Sequence, residues 1–172
     1  MRKTLGIIFL FVLLFIFEVS FAEKVGDIAP AADIKVGDIA PDFSLESFTG
    51  AKVNLKDFRG KIVFLNFFAT WCGPCSAEMP DLVKVHSLYK DKNIEFISVD
   101  LQEDKKKVSE FINKYNIKWE ILLDYKGAVG KLYNIRGIPT NLVINKAGKI
   151  TFIGHFLTED VLKTELDKVI RK

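Results

Sequence analysis

The chain has 172 residues, enough for one compact domain and not for two. Its net charge of +3 becomes +2 once residues 1–22, with Arg2, Lys3 and Glu18, are set aside. So mild a balance excludes a broad basic nucleic-acid surface, and with 49% hydrophobic residues the chain can build a core without cross-links.

The N-terminus reads as a targeting segment. Arg2 and Lys3 precede an apolar run from Leu5 to Phe17, which Glu18 ends. That length suits the core of a signal peptide better than a bilayer span, which takes about 20 residues. Ser20 and Ala22 have the spacing a signal peptidase accepts, which predicts cleavage before Glu23. Retention as an N-terminal membrane anchor is the alternative, and either route places the domain outside the cytoplasm. Residues 23–35 read as a linker. KVGDIAP at 24–30 recurs at 35–41, and two copies are too few for a repeat architecture, which needs at least about three units. The second copy is expected to open the folded domain, residues 36–172.

Phe43–Leu45 and Lys52–Leu55 are predicted as short strands joined by a turn at Thr49-Gly50. Residues 61–68, KIVFLNFF, form a nearly unbroken apolar run, as in a strand buried on both faces. A helix is predicted from Cys72 to Lys90, with Leu82, Val85, His86 and Tyr89 on one face. Ile94–Val99 is the next buried strand. Val108, Phe111, Ile112 and Tyr115 mark a second helix, and the Lys105–Lys107 run is its solvated face. Glu120–Leu123 reads as a strand and Ala128–Tyr133 as a short helix. Asn141–Asn145 and Lys149–Ile153 make a hairpin turning at Lys146–Gly148. Thr158 is the expected N-cap of a last helix whose buried stripe is Leu162, Leu166, Val169 and Ile170. Strands alternating with helices predict an α/β sandwich around a mixed sheet.

The chemistry centres on FFATWCGPCSAEMP, residues 67–80, which holds the only two cysteines, Cys72 and Cys75. A structural zinc site fails on ligand count, because it needs four ligands and only His86 and His155 remain, far apart. A structural disulfide is weak, since a bridge between residues three apart closes a loop worth only ~2 kcal/mol. A redox couple fits the local physics. The pair sits where a buried strand hands over to a helix, and the unpaired N–H groups and dipole of a helix start stabilise a thiolate on Cys72. Cys75, one turn on, is placed to attack a mixed disulfide on Cys72. Gly73 permits a tight turn, and Pro74 suits a first helical turn that leaves an N–H unpaired. Trp71 either flanks an exposed sulfur and offers an apolar surface to a partner, or is an aromatic at the core edge.

NFFATWCGPCSAEMP resembles the active-site segment of thioredoxin-fold proteins. With the leader, GDIAPDFSLES, LKDFRGKIVFLNF and RGIPTNLVINKAGKI, the chain resembles the TlpA/ResA-like branch of thiol-disulfide oxidoreductases over residues 36–172. The resemblance implies a thioredoxin fold with an N-terminal β-hairpin and a strand-helix insert, here 120–123 and 128–133. It also implies a cis-proline loop at Ile138-Pro139, which lies beside the cysteines and offers backbone groups to an extended substrate. Glu78 matches a glutamate that helps move a proton to or from the buried cysteine; its alternative is an acidic residue favouring a helix N-terminal turn. Asn66 stands where cytoplasmic thioredoxins carry a buried aspartate, Phe68 where the family often has tryptophan, and Pro80 where the family's first helix kinks. His86 and His155 read as a packed residue and a loop residue.

A histidine between the cysteines would favour an oxidant; Gly73 and Pro74 add no charge, and Glu78 opposes a thiolate, so a reductase is expected. The resemblance implies an integral membrane thiol donor of the DsbD/CcdA type and exported protein substrates with disulfides, for example apocytochrome c. A disulfide-forming oxidase is one alternative. A copper(I) carrier is another, although the chain has only Met1 and Met79. Nothing resembles the threonine and arginine of a peroxidase site. No cofactor and no metal is expected.

Overall fold

A computed structural model describes residues 33–171; the leader and the first KVGDIAP copy lie outside them. The strands are β1 Ser44–Ser47, β2 Lys52–Asn54, β3 Ile62–Phe68, β4 Ile94–Leu101, β5 Glu120–Asp124, β6 Thr140–Ile144 and β7 Ile150–Gly154. The helices are α1 Gly73–Tyr89, α2 Lys105–Tyr115, α3 Ala128–Leu132 and α4 Glu159–Ile170, and a 3-10 turn spans Leu55–Phe58. The strands form one sheet in the order β2-β1-β5-β4-β3-β6-β7. β3 pairs in parallel with β4, and β4 with β5, while the remaining pairs are antiparallel, so the sheet is mixed.

Residue parity in β3 divides the core. Phe64 and Phe68 face α1, α2 and α4, where they join Met79, Leu82, Val85, Phe111, Leu162 and Leu166. Val63, Leu65 and Phe67 point to the opposite face, against Phe43, Val129, Tyr133 and Ile150. A central strand buried on both sides explains the continuous apolar run. His86 packs edge-on to Phe96, with ring centroids 5.1 Å apart, and lies against Trp119. Burial there pushes its pKa down, partly opposed by Glu95.

The N-terminal hairpin and the strand-helix insert are both present: β1 pairs with β2 on one side and with β5 on the other. Residues of the second KVGDIAP run beside β7, where Gly37 N–H donates to the Ile150 carbonyl and Ala40 N–H to that of Gly148. The first copy is preceded by Ala22 and Glu23, where the second has Asp33, which pairs with Arg136, and Ile34, which packs on the core.

Two local expectations need correction. Thr158 occupies the N-cap position of α4, but its side chain makes no capping bond. Asp81 on α1 accepts the Glu159 N–H instead, at 3.2 Å, so the end of α4 is satisfied by the neighbouring helix. The β6–β7 hairpin also sits one residue away from the predicted limits, beginning at Thr140 and ending at Gly154.

The insert is anchored by Asp124, the last residue of β5. Its carboxylate accepts the N–H groups of Ala128, Val129 and Gly130 at 2.9–3.0 Å, taking up the start of α3. Asp124→Ala leaves buried N–H groups unpaired, and urea denaturation is expected to show a loss of about 2 kcal/mol. An unchanged midpoint would show that α3 does not depend on this carboxylate.

Candidate active site

β3 ends at Phe68, and the chain turns through Ala69–Trp71 before α1 begins at Gly73, so Cys72 caps the helix. Its sulfur accepts the Cys75 N–H at 3.1 Å, the bond that a serine or aspartate makes at other helix starts. A negative sulfur here would face the positive end of the helix. Pro74 falls in the first turn, where its missing N–H leaves nothing unsatisfied.

Cys72 and Cys75 form a disulfide, with Cα atoms 5.2 Å apart. Cys75 is fully buried and Cys72 is 4% exposed. The exposed sulfur expected beside Trp71 is therefore a narrow window: the Ile138 carbonyl lies 3.6 Å from the Cys72 sulfur and helps close it. Trp71 itself is 73% exposed, so it does not take the core-edge place. Gly73 also differs from expectation. Its backbone has no positive φ, and an added Cβ would meet nothing within 4 Å. The turn does not need glycine; the residue instead leaves open space beside the disulfide.

The Ile138-Pro139 bond is cis, as the resemblance implies. Thr140 closes the loop by donating its hydroxyl to the Gly137 carbonyl at 2.7 Å. The first residues of β6 then reach the other half of the site.

Glu78, one turn along α1 from Cys75, has no exposed surface and lies beyond the first turn, so it is not an acidic residue favouring the helix start. Its carboxylate accepts from Asn66 Nδ2 at 3.2 Å, from Asn141 Nδ2 at 3.2 and 3.3 Å, and from the Leu157 N–H at 2.9 Å. Asn66 and Asn141 are direct partners in the β3–β6 register, joined by a 2.8 Å bond between their amides. These donors favour the ionised form, but burial outweighs them and, with a smaller contribution from Asp81, pushes the Glu78 pKa up to about 7. The group can thus take or give a proton near neutral pH.

Asn141 and the 155–157 segment were missed as parts of the site. Asn141 also donates to the His155 carbonyl at 2.7 Å, and His155 Nδ1 lies 3.2 Å from the Pro139 carbonyl. The loop after β7 therefore touches both Glu78 and the proline loop. Asn141 did carry a signal: it is an amide in a fully buried strand, as Asn66 is in β3, and only Thr140 beside it is also polar. The links themselves span 63 to 79 residues of sequence and leave no local trace.

The AhpC/TSA family matches residues 36–153. The thiol-disulfide oxidoreductase ResA of Bacillus cereus is 34% identical over 154 residues, covering 90% of this chain and 87% of the relative. ResA of Oceanobacillus iheyensis is 39% identical over 140 residues, 78% of this chain and 73% of the relative. Among solved structures, the thioredoxin domain of a thiol-disulfide oxidoreductase from Bacteroides vulgatus superimposes with a TM-score of 0.73 at 27% identity, covering 80% of this chain and 99% of that one. A disulfide at a helix start, a buried carboxyl beside it and this kinship agree: the chain belongs to the AhpC/TSA family, as a ResA-like thiol-disulfide oxidoreductase with a thioredoxin fold.

Proposed function

We propose that the protein is an extracytoplasmic reductase of disulfides in exported proteins, apocytochrome c among them, using the Cys72-Cys75 dithiol. The observation that carries the direction is the charge around the sulfurs. Gly73 and Pro74 between them are neutral, and every hydrogen bond found to Glu78 comes from an amide rather than a cation. A buried carboxyl and no positive side chain between the cysteines give the reduced form little extra stability, which makes the dithiol a good electron donor.

In the forward reaction the Cys72 thiolate attacks a substrate disulfide, and the leaving substrate thiolate takes up a proton. Cys75 then loses its proton to the Glu78 carboxylate and attacks Cys72, closing the enzyme disulfide and releasing the second substrate sulfur as a thiolate, which takes up a proton from solvent. Two electrons have passed to the substrate. Trp71 and the open space beside Gly73 and Pro74 form the approach, and Ile138 and Pro139 supply the backbone against which the substrate segment lies. A compartment without a glutathione pool requires the enzyme to be reduced again, a task for an integral membrane thiol donor of the DsbD/CcdA type. The apolar leader supports export.

The test is the reduction potential of the domain together with its rate of insulin reduction. A potential near or below thioredoxin's, about −270 mV, with measurable insulin turnover is the expected result. A potential near that of DsbA, about −120 mV, overturns the reductase in favour of an oxidase. Stoichiometric copper(I) binding without disulfide turnover points instead to a carrier.

A further inference from the structure

The turn that presents the disulfide is held by groups the exchange steps do not use. Thr70, two residues before Cys72, donates its backbone N–H and its hydroxyl to the Glu103 carboxylate, the hydroxyl at 2.8 Å. Glu103 follows β4 and is only 7% exposed. Three residues before it lies Asp100, 1% exposed, facing Phe68 on β3 and Leu123 on β5 in the sheet register. Neither Asp100 oxygen has a hydrogen-bond donor of conventional geometry among the described residues. The groups acting on it are the Glu103 carboxyl and N–H and, further off, the Asp104 carboxylate. Lys105, Lys106 and Lys107 of α2 are exposed, and the ion pair found there is between Lys107 and Asp104.

Two ionised carboxylates at this depth would repel each other without a countercharge. One of them keeps a proton, and burial, followed by Glu103, raises the pKa of Asp100 to about 8. A protonated Asp100 has an O–H to donate and Glu103 has a lone pair to receive it, which satisfies the orphaned carboxyl. We propose that Asp100 is a positioning residue: as a carboxylic acid it donates to Glu103 and so fixes the Thr70–Trp71–Cys72 turn in the geometry that offers Cys72 to a partner. The proposal rests on thiol exchange at Cys72 and not on its direction, so it stands or falls apart from the reductase reading.

The variants Asp100→Asn and Asp100→Leu separate the donor role from simple space filling. Asparagine keeps an N–H donor that does not titrate, whereas leucine keeps volume and offers none. The probe is the reduced protein reacting with a small aromatic disulfide across about pH 6 to 10, under single-turnover conditions. At pH 7 the asparagine variant should react within about twofold of wild type and the leucine variant about tenfold more slowly. Above about pH 8, where Asp100 ionises and the wild-type turn loosens, the ratio of asparagine-variant to wild-type rate should rise several-fold. Thiol titration is common to both proteins and cancels in that ratio. A constant ratio over the whole range overturns the proposal, as does a leucine variant as fast as wild type or an asparagine variant as slow as leucine. If the leucine variant does not fold, the asparagine ratio decides alone.

Discussion

Replacing Cys75 by serine is expected to stop the reaction at its midpoint. Cys75 is fully buried and Cys72 keeps the one small window, so a substrate disulfide meets Cys72 first. In the variant this attack still occurs and leaves the substrate joined to Cys72. The resolving thiol is gone, and serine at position 75 is too weak a nucleophile to cleave the bond. Multiple turnover should fall to the uncatalysed background while the covalent adduct accumulates, visible as a mass increase that dithiothreitol reverses. Cys72→Ser should give no adduct and no turnover, because the remaining cysteine lies beneath the surface. An adduct on Cys75 in that variant, or sustained insulin reduction by Cys75→Ser, would reverse the assigned roles. Stability is a separate quantity: the bridge closes so short a loop that its loss removes only about 2 kcal/mol, and both variants should remain folded.

What could be read from the sequence was what depends on neighbours along the chain. β3 announced itself by an unbroken apolar run, α1 by its stripe of Leu82, Val85 and Tyr89, and the disulfide by two cysteines at a strand-to-helix junction. The thioredoxin arrangement of the sheet and the cis bond before Pro139 came from the resemblance rather than from any local preference. Long-range choices were hidden. Thr158 has the chemistry of an N-cap, yet Asp81 takes the N–H of Glu159, 78 residues later, because α1 lies alongside α4. Gly73 suggested a tight turn that glycine makes possible, and its backbone has no positive φ. Glu78 had an alternative reading as an acidic residue favouring a helix N-terminal turn; only the packing of β6 and of the segment after β7 shows that it is enclosed. Asp100 in ISVDL carried no sign that it would lack a partner, since that depends on which residues come to rest around it.

Glu78→Gln is expected to change both the pH dependence of stability and the second chemical step. With the disulfide closed, the Glu78 pKa stands at about 7, against 4.5 for an unperturbed glutamate, with burial the main cause. The folded protein therefore holds a proton that the unfolded chain has already released. Stability from this group is complete below about pH 4.5 and declines as the pH rises towards about 7, above which the full loss applies. The shift corresponds to a loss on the order of 3 kcal/mol. Glutamine does not titrate, so the stability of the oxidised variant relative to wild type should improve by about that amount between pH 4.5 and 8 in parallel denaturation series. Taking the difference between the two proteins cancels every other titrating group, Asp100 included. In the reduced protein the same substitution removes the acceptor for the Cys75 proton. The Cys72 attack should keep its rate, while closure of the disulfide slows by about a hundredfold and loses its inflection near pH 7. Parallel stability curves combined with an unchanged closure rate would mean that Glu78 only fills space among Asn66, Asn141 and Leu157. Altered stability with normal closure would make its charge a structural burden and send the Cys75 proton directly to solvent.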